Sequence, residues 1–395
     1  MSYLDKLLAG VAVEWKALGN VCEVFTGGEA PSNSIKGATP NNIFKFPIYG
    51  NGADIYGYTD TYKIDKDAVT ISSIGANTGT IYFRKAFFTP IIRLKVVIPK
   101  YRDLLPRYLF HYLSSITISS KSSSVPNMNA SDVKKILIPI PCPDNPEKSL
   151  AIQNEIVRIL DTFTELTAEL TAELTARKKQ YNYYRDQLLN SEKNEVELKP
   201  LGEIGEVRMC KRILKEQTSD VGEIPFYKIG TFGKDPDAYI SKELFDEYKA
   251  RYNYPRMGDV LISASGTIGR SVIFNGIDAY FQDSNIVWIE NNEKQVLNKY
   301  LFYCYQIAEW EIAEGGTIQR LYNDNLKKTK IPVPYPNDIE KSLKEQERIA
   351  SILDKFDTLT TSITEGLPKE IELRQKQYEY YRDMLLTFPN DNLKA

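Results

Sequence analysis

The sequence contains few side chains that could carry out catalysis or bind a metal. Its single histidine, His111, lies inside the apolar run YLFHYL, where a packed core histidine is the expected role. No segment has the glycine–lysine pattern of a phosphate-binding loop or the spacing of zinc ligands. The cysteines are far apart and form no Cys-x-x-Cys pair; they are Cys22, Cys142, Cys210 and Cys304. We therefore expect no active site, no metal, and no cofactor bound by this chain.

Glycine-rich loops of this chain carry polar and basic side chains, and besides forming turns such loops can bind phosphates or the edges of nucleic-acid bases. The glycine runs at 27–32, 49–57 and 73–79 lack the strand-to-helix setting of a dinucleotide loop, so they are expected to form turns. From turns, Arg and Lys side chains can bond guanine, and Asn and Gln side chains can bond adenine. For each residue taken alone, a purely structural role is the competing interpretation.

If the chain binds DNA, two sets of residues on these loops are the candidates for base contacts. In the first half of the chain they are Lys36, Asn51, Asn77, Thr78, Thr80, Arg84, Lys121, Asn127 and Asn129. In the second half they are Lys211, Arg212, Thr267, Arg270, Gln282, Thr317, Gln319 and Arg320. The segments 123–135 and 315–328 occupy equivalent places before two proline-rich runs, which favours the candidates in both.

The candidate loops belong to regions whose patterns predict short strands. Residues 15–143 are rich in Gly, Tyr, Ile and Thr with short alternating runs, and one local helix is predicted at 107–115. The run IPIPCP then ends the region in extended backbone, because proline cannot sit inside a helix. The second half repeats this pattern, with a helix predicted near 296–313 and the run IPVPYP.

Each strand-rich region is followed by a long predicted helix. The first runs from about Glu147 to Leu189 and contains the repeat TELTAELTAELTA, whose leucines recur every four residues along an apolar seam. The second runs to about Leu386 and contains TEGLPKE (364–370). A bend or short break is predicted there, because glycine weakens a helix and proline favours its first turn.

The chain is an internal repeat with a period near 190 residues. Residues 138–167 and 331–360 are identical at 16 of 30 positions, and RKKQYNYYRDQLL (177–189) returns as RQKQYEYYRDMLL, with 10 of 13 identical. The opening YLDKLL resembles the end of a helical segment, so the two chain ends are expected to meet. The two seams are predicted to pack as an antiparallel coiled coil, with a pseudo-twofold axis relating the globular domains.

These elements define an α+β fold with two globular domains separated by two long helices. The predicted divisions are 1–143 (opening with a shared segment at 1–19), 144–192 for the first helical spacer, 193–337, and 338–395 for the second spacer. No run of about 18 apolar residues and no signal-peptide pattern occurs, so a cytoplasmic protein is expected.

Charge is unevenly distributed along a chain whose net charge is only −2. Residues 20–140 carry 14 basic and 8 acidic side chains, whereas 144–176 carry 2 basic and 7 acidic ones. A basic domain can bind the phosphates of a nucleic-acid duplex. The acidic helix beside it would then act as a spacer that does not contact the duplex. The second domain does not repeat this signal, with 17 basic and 19 acidic side chains in 200–336. A solvated charged surface remains the alternative.

The repeated helical segments, together with GVAVEWKALGNV at the start, resemble the specificity subunit of type I restriction–modification systems, and the TAEL repeat resembles the type IC branch. These segments cover roughly 120 residues. The regions at about 20–137 and 203–330 correspond to the target recognition domains. The resemblance implies a non-catalytic subunit that binds a split sequence in double-stranded DNA, one half-site per domain. Adenine methylation and DNA cleavage would then be directed by this chain and carried out by other subunits.

The resemblance also implies partners and a role for the repeat. The partners are two modification subunits, which carry S-adenosylmethionine, and restriction subunits, which use ATP and Mg²⁺; the number of TAEL copies sets the distance between half-sites. Aromatic residues are favoured in interface cores, so the paired tyrosine-rich runs predict docking surfaces for the modification subunits. The residues concerned are Tyr181, Tyr184, Arg185, Tyr378, Tyr381 and Arg382. Two other interpretations remain, a coiled-coil adaptor whose heads bind protein and a stand-alone nuclease or methyltransferase.

Overall fold

The computed structural model describes residues 10–37, 39–75, 77–116, 128–190, 195–312, 319–362 and 364–388. The chain forms two compact units, unit 1 from Met1–Thr171 with Glu370–Ala395 and unit 2 from Ala172–Lys369. Three candidate residues lie outside the described residues; they are Lys121, Asn127 and Thr317.

Unit 1 is built around two small sheets and a pair of strands. Its strands are β1 (Val13–Ala17), β2 (Cys22–Thr26), β3 (Ser34–Lys36), β4 (Phe46–Tyr49), β5 (Ile55–Thr59), β6 (Ala68–Ile71), β7 (Ile81–Arg84), β8 (Thr89–Pro90), β9 (Lys95–Pro99) and β10 (Leu137–Pro141). One sheet has the order β2-β9-β6-β7 and is antiparallel throughout; the other has the order β3-β5-β4-β8, with β4 and β8 parallel.

Unit 2 repeats this topology. Its strands are β11 (Val196–Pro200), β12 (Glu206–Arg208), β13 (Ile224–Tyr227), β14 (Tyr239–Ile240), β15 (Val260–Ser263), β16 (Ser271–Ile273), β17 (Tyr280–Phe281), β18 (Ile286–Glu290) and β19 (Lys330–Pro334). The order β12-β18-β15-β16 matches the first sheet of unit 1, and β14-β13-β17 matches part of the second, again with a parallel pair, β13 and β17. The predicted internal repeat is therefore confirmed at the level of topology.

The helices complete the mixed helix-and-strand fold that the sequence predicted. They are α1 (Leu18–Val21), α2 (Pro106–Ser115), α3 (Ala130–Lys134), α4 (Pro146–Leu189), α5 (Lys242–Arg251), α6 (Asn298–Tyr305), α7 (Asn323–Lys328), α8 (Ile339–Thr361) and α9 (Leu367–Leu386). The predicted helices at 107–115 and 147–189 correspond to α2 and α4 within one residue at each end.

The two proline-rich runs are strands that close each strand-rich region. β10 pairs antiparallel with β1, and β19 pairs in the same way with β11. Each pair forms a separate two-stranded sheet, where proline is tolerated because its missing N–H falls at an edge. The start and the end of each strand-rich region are therefore held side by side.

The long helices begin at side-chain caps, and the second is interrupted. Asn145 Oδ1 accepts the N–H of Lys148 at the start of α4, and Asp338 caps α8 in the same way. The predicted break is confirmed, because α8 ends at Thr361 and α9 begins at Leu367. Gly366 has φ +81°, and a Cβ there would lie 2.5 Å from the Thr358 carbonyl oxygen, so the turn requires glycine.

Aromatic stacks pair the helices within each unit. In unit 1, Phe163 of α4 stacks on Tyr381 of α9, with ring centroids 5.1 Å apart. In unit 2, Tyr184 of α4 stacks on Phe356 of α8 at 5.8 Å. Phe163 and Phe356 are equivalent positions of the repeat, and so are Tyr381 and Tyr184. The same interaction therefore occurs twice.

One predicted helix is shorter in the structure, and the ten-residue helix α5 was not predicted. The helix predicted near 296–313 is shorter, because α6 ends at Tyr305 and the chain turns so that Trp310 packs against the Tyr305 ring at 5.5 Å. The helix α5 was not predicted at all. Its N-cap, Ser241, accepts the N–H of Leu244 at 3.2 Å, a local signal that the surrounding turn residues obscured.

Residues near both ends of the described chain share one core. Val13 and Trp15 of β1 pack against the same apolar cluster as Leu385, Leu386 and Phe388. The expectation that the two ends meet is confirmed for these residues. By packing, the first part of α4 belongs to unit 1 and its second part to unit 2. The four predicted segments stay a prediction.

Candidate nucleic-acid interface

Three loops of unit 2 meet at the end of the β15–β16 hairpin. The turn between these strands spans residues 264–270. The N–H of Ala264 donates to the carbonyl of Asn285, in the loop after β17, at 2.7 Å. The N–H of Leu321, in the segment before α7, donates to the carbonyl of Ala264 at 2.8 Å. These bonds bring three loops that are distant in sequence to one place.

Unit 1 contains the same arrangement. The N–H of Ser72 donates to the carbonyl of Thr80 at 2.9 Å and closes the turn between β6 and β7. The N–H of Met128, before α3, donates to the carbonyl of Ser73 at 3.0 Å, and the Ser73 hydroxyl donates to the carbonyl of Arg93, after β8, at 2.6 Å. Each strand-rich region therefore presents a cluster of three loops held together by hydrogen bonds to backbone carbonyls.

A basic cleft lies beside the loop cluster of unit 2. Its volume is about 560 Å³, and it is lined by Arg212, Lys215, Lys228 and Arg320 together with Asp220 and Asp283. Two of the cations are partly neutralised, Arg212 by Asp283 at 2.9 Å and Lys228 by Asp237 at 2.9 Å. Arg320 is exposed, with no ion-pair partner within 4 Å among the described residues. The cleft can attract a phosphate or present a guanidinium to a guanine edge.

The candidates of unit 2 divide into exposed and internally bonded side chains. Thr267, Gln319 and Arg320 are exposed in or next to the loop cluster. Lys211 is also exposed, and its ammonium lies 5.2 Å from the Tyr252 ring. Arg212 is exposed on the wall of the cleft. The prediction that these residues contact bases stays a prediction, but their side chains are accessible.

Two candidates of unit 2 are already used in the fold. Gln282 lines the cleft, but its Oε1 accepts the N–H of Ile229 at 3.0 Å. Arg270 is half-buried and donates to the carbonyl of Phe232 at 3.1 Å. Both residues therefore shape the loops, and a base contact would require them to exchange these partners.

In unit 1, exposed candidates again lie around the loop cluster. Asn77 and Thr80 are exposed in the turn after β6, and Asn129 is exposed beside Met128. Thr78 is half-buried and donates its hydroxyl to the carbonyl of Gly75 at 2.7 Å, as a turn residue does. Lys36 lies on β3 in the second sheet, exposed and 5.7 Å from the ring of a neighbouring tyrosine.

The structure assigns internal roles to Arg84 and Asn51, the remaining candidates of unit 1 among the described residues. Arg84 is buried, donates to the carbonyls of Gly52 and Ala53, and lies 3.8 Å from the centroid of the Tyr49 ring. Burial lowers the pKa of this guanidinium, and neighbouring tyrosines oppose that shift. Asn51 accepts the N–H of Ser73 at 2.8 Å. Asn51 therefore stabilises the loop cluster, Arg84 stabilises the neighbouring loop after β4, and both are poorly placed to contact bases.

Sequence reasoning missed Arg93, which the structure places on the loop cluster. Arg93 is exposed and follows Ile92; both adopt left-handed backbone conformations, with φ +57° and +51°. Such conformations cost energy in non-glycine residues and concentrate at functional sites. Ser284 occupies the corresponding loop of unit 2 and also has a positive φ, +59°. These positive φ angles could not be predicted from the sequence, because the residues that adopt them are not glycines.

The tyrosine-rich runs divide into packed and exposed rings. The rings of Tyr184 and Tyr381 stack within the helix pairs described above. Tyr181 donates its hydroxyl to Gln306 at 2.7 Å, and Tyr378 lies against the buried His111. Arg185 and Arg382 each pair with the next residue, an aspartate. The most exposed aromatic rings of the runs are Tyr183 and Tyr380, at 62% and 61%, which are equivalent in the repeat and were not singled out from the sequence.

His111 is a core residue. Its side chain is fully buried, as predicted, and its Nε2 lies 2.7 Å from Asp161 Oδ1. Burial lowers the pKa of His111. Within the part of the chain that the structure describes, no group of three His, Cys, Asp or Glu side chains could hold a metal ion. Among those residues, no helix is long and apolar enough to cross a membrane.

Comparison with known proteins identifies this arrangement. The family model described as type I restriction modification DNA specificity domain matches residues 11–177 and 193–373. A putative type I restriction enzyme specificity subunit of Haemophilus influenzae is 51% identical over 399 residues, covering 98% of each chain. The EcoR124I/EcoR124II specificity subunit of Escherichia coli is 38% identical over 411 residues, again covering 98% of each.

Solved structures support the fold independently of close sequence similarity. The S subunit of a type I restriction–modification system from Mycoplasma genitalium aligns with a TM-score of 0.62 at 15% identity, covering 99% of this chain and 100% of that one. The family model matches the chain twice, once in each half, in agreement with the repeated topology.

Proposed function

Since this chain belongs to the family of type I restriction–modification DNA specificity subunits, we propose that it reads a bipartite DNA sequence, with one half-site bound by each strand-rich region. The observation that carries this proposal is the loop cluster present in both units. Two equivalent sets of exposed polar loops, on equivalent sheets, are suited to reading two separate groups of base pairs.

The proposal includes the partners that the family implies. Two modification subunits would bring S-adenosylmethionine and methylate adenines at the sequence that this chain selects. Restriction subunits would use ATP and Mg²⁺ to cleave unmodified DNA. This chain would supply the sequence readout, with no catalytic step of its own. Single-molecule methylome sequencing of cells that express the chain with its modification subunit tests the proposal, because it reports the recognised sequence directly. A methylome without a bipartite motif would contradict it.

Replacing Arg320 by alanine should weaken DNA binding by about 1–3 kcal/mol, with the loss confined to one half-site. The reason is that Arg320 is an exposed cation that lines the basic cleft of unit 2 beside the loop cluster. The measurement is a titration of labelled duplex with the complex of this chain and its modification subunit. Lys355→Ala is the matched control, because Lys355 is an exposed cation on α8 outside the cleft.

The salt dependence of the same titration separates two kinds of contact. If Arg320 bonds a base, the variant relaxes specificity at one position of the half-site. If it bonds a phosphate, all duplexes weaken equally and the logarithmic salt slope falls by about one. Unchanged affinity and slope would exclude Arg320 from the interface.

The double substitution Tyr183→Ala and Tyr380→Ala should weaken association with the modification subunit while leaving the fold intact. Both rings are exposed at equivalent positions of the repeat, and truncating an aromatic anchor costs on the order of 2 kcal/mol. Co-purification and titration calorimetry with the modification subunit measure the effect. By contrast, Tyr184→Ala and Tyr381→Ala should first lower thermal stability, since these rings stack on Phe356 and Phe163 of the paired helices, although Tyr184 remains 41% exposed.

The control for the docking surface uses two exposed positions of the same helices. The control substitutions are Lys178→Ala and Gln375→Ala. Both residues are exposed and occupy equivalent places in the repeat, less than two helical turns before the tyrosine pairs. Their combination should leave association unchanged. Full association of the Tyr183 and Tyr380 double variant would show that docking occurs elsewhere.

A further inference from the structure

A buried glutamine fastens the strand-rich region of unit 1 to the long helix α4. The side chain of Gln153 is fully buried. Its Nε2 donates to the carbonyl of Asp103 at 2.8 Å and to the hydroxyl of Ser149 at 3.0 Å, and its Oε1 accepts the N–H of Leu105 at 2.9 Å. Asp103 and Leu105 immediately precede α2, so the amide holds the start of that helix.

A second attachment lies eight residues farther along α4. Asp161 Oδ1 accepts from Nε2 of His111 at 2.7 Å and from Nε of Arg107 at 2.8 Å. Both donors are on α2, in its first and second turns. Burial disfavours the charged imidazole, whose pKa is lowered, so the neutral ring donates its Nε2 proton to the carboxylate.

Unit 2 repeats both attachments, and only the donors to the aspartate differ. Gln346 is fully buried and bonds the carbonyl of Gln295 at 2.9 Å, the hydroxyl of Ser342 at 3.0 Å and the N–H of Leu297 at 2.9 Å, just before α6. Eight residues later, Asp354 accepts from the hydroxyl of Tyr303 at 2.6 Å, and its second oxygen lies 3.1 Å from the Lys299 ammonium.

The helices α2 and α6 connect these attachments to the base-reading loops. In unit 1, Tyr108 and Leu109 of α2 share a core with Val69, Ile71 and Val97, which belong to the sheet that carries the turn after β6. In unit 2, Tyr300 and Leu301 of α6 share a core with the corresponding strands β15 and β18. The hydroxyls of Tyr108 and Tyr300 also donate to proline carbonyls of β10 and β19, each at 2.9 Å.

Two attachments fix an orientation that one attachment would leave free. Eight residues span about 12 Å of helix axis, so the two points on α4 are far enough apart to prevent α2 from pivoting on it. A buried side-chain amide that bonds three partners resists displacement, because breaking it leaves several buried polar groups unpaired. When the long helix rotates or is lengthened, the attached sheet and its loops therefore move with it.

We propose that Gln153 with Asp161, and Gln346 with Asp354, are positioning residues that set how strictly the distance between the two DNA half-sites is read. They contact no base. They act by fixing the orientation of each DNA-reading sheet about the axis of the long helix to which it is attached. This inference rests on the proposed function, since it concerns the spacer of a bipartite sequence. Loosening either pair lets its sheet turn on the helix, so that sites with a wrong spacer can be bound.

The test measures binding to duplexes that differ only in spacer length. The complex of this chain with its modification subunit is titrated with duplexes that carry both half-sites at the native spacing, one base pair shorter and one longer. Asp161→Ala should reduce the preference for the native spacing by at least about fivefold, the lower end of typical coupling between sites. The penalty for a wrong base inside either half-site should stay as in the wild type. Asp354→Ala should act in the same way from unit 2.

Matched variants separate positioning from general damage. Thr162→Ala and Lys355→Ala change the exposed neighbours of the two aspartates and should keep the wild-type preference. Asp161→Asn, which has the same size and retains an acceptor oxygen, should be intermediate, and thermal unfolding verifies its fold. His111→Tyr introduces the donor that unit 2 uses at the equivalent position, so it should preserve the preference.

Each outcome of this experiment distinguishes the inference from the proposed function. Folded Asp161 and Asp354 variants that discriminate spacers as strictly as the wild type would overturn the positioning role. A relaxed penalty for wrong bases together with the relaxed spacer would also overturn it, because the loops themselves would then be disturbed. A wild-type complex that shows no preference for two half-sites would instead contradict the proposed function.

Discussion

Deleting residues 167–170, one TAEL copy of α4, should shorten the non-specific spacer of the recognised DNA sequence by one base pair and leave both half-sites unchanged. Four residues account for about 6 Å of helix and a net rotation of about 40°. One base pair advances about 3.4 Å and rotates about 35°. Because the rotations nearly agree, one TAEL copy turns its domain by close to one base-pair step. The remaining few ångströms of rise would be absorbed by tilt or by deformation of the DNA.

The surroundings of the repeat indicate that this deletion will be tolerated. Upstream, Ile152, Ile156 and Leu160 are buried in the core of unit 1, whereas no residue between 164 and 176 is buried. The Thr167 hydroxyl bonds a carbonyl of its own helix at 2.8 Å. Removing four residues also preserves the face on which the leucines recur, which a deletion of one, two or three residues would not do.

The methylome of cells that carry the deletion, with the modification subunit present, gives the spacer directly. Insertion of one further TAEL copy is the complementary variant and should lengthen the spacer by one base pair. Deletion of three residues is the control for rotational phase, since it turns the helix by about 60° in the opposite sense and should abolish methylation. A folded, active four-residue deletion that still methylates the original motif would show that the TAEL repeat does not set the spacer length.

Exchanging residues 18–136 for the corresponding segment of another family member should replace one half of the methylated motif and leave the other half unchanged. The exchanged segment contains the whole loop cluster of unit 1 and none of that of unit 2. The affinity for the original half-site should fall toward non-specific binding, because each wrong base pair costs about 1–3 kcal/mol.

The structure specifies where this exchange can be made. The N–H of Leu18 donates to the carbonyl of Ile136 at 2.8 Å, so both junctions lie side by side, directly inside the β1–β10 pair. The donor segment must also supply a partner for Asp161 of the retained helix. A donor with histidine or tyrosine at the position of His111 satisfies that carboxylate, as His111 and Tyr303 do in the two units of this chain.

Methylome sequencing again provides the measurement, and the reciprocal exchange of residues 202–328 provides the control. The two chimaeras should alter opposite halves of the motif. A change in both halves from one exchange would show that the strand-rich regions do not read DNA independently.

The repeat, the long helices and their interruption were determined by the sequence alone. Apolar spacing and the TAEL repeat identified α4, because a helical seam is a local pattern. Gly366 and Pro368 marked the break before α9 for a similarly local reason. The identities between 138–167 and 331–360 established two equivalent units and supported the resemblance to specificity subunits. Local chemistry also placed His111 in the core.

Only the tertiary structure decided which polar residues are available to contact DNA. Asn51, Arg84 and Gln282 have the composition and loop setting of base-contacting residues, yet their side chains bond backbone groups beneath the loops. Arg93 has no motif and is exposed on the loop cluster. Whether a polar side chain faces solvent or a buried carbonyl depends on the packing of segments distant in sequence, and no local pattern encodes that packing.

The same reason explains the tyrosines and the helix attachments. The sequence showed two equal tyrosine-rich runs, but only packing separated the exposed rings of Tyr183 and Tyr380 from the stacked rings beside them. In the sequence, Gln153 and Asp161 are only two of the many residues that are identical in the two copies of the repeat. Their role follows from bonds to residues about 50 positions earlier, and such long-range contacts form only when the sheet, α2 and α4 come together in three dimensions.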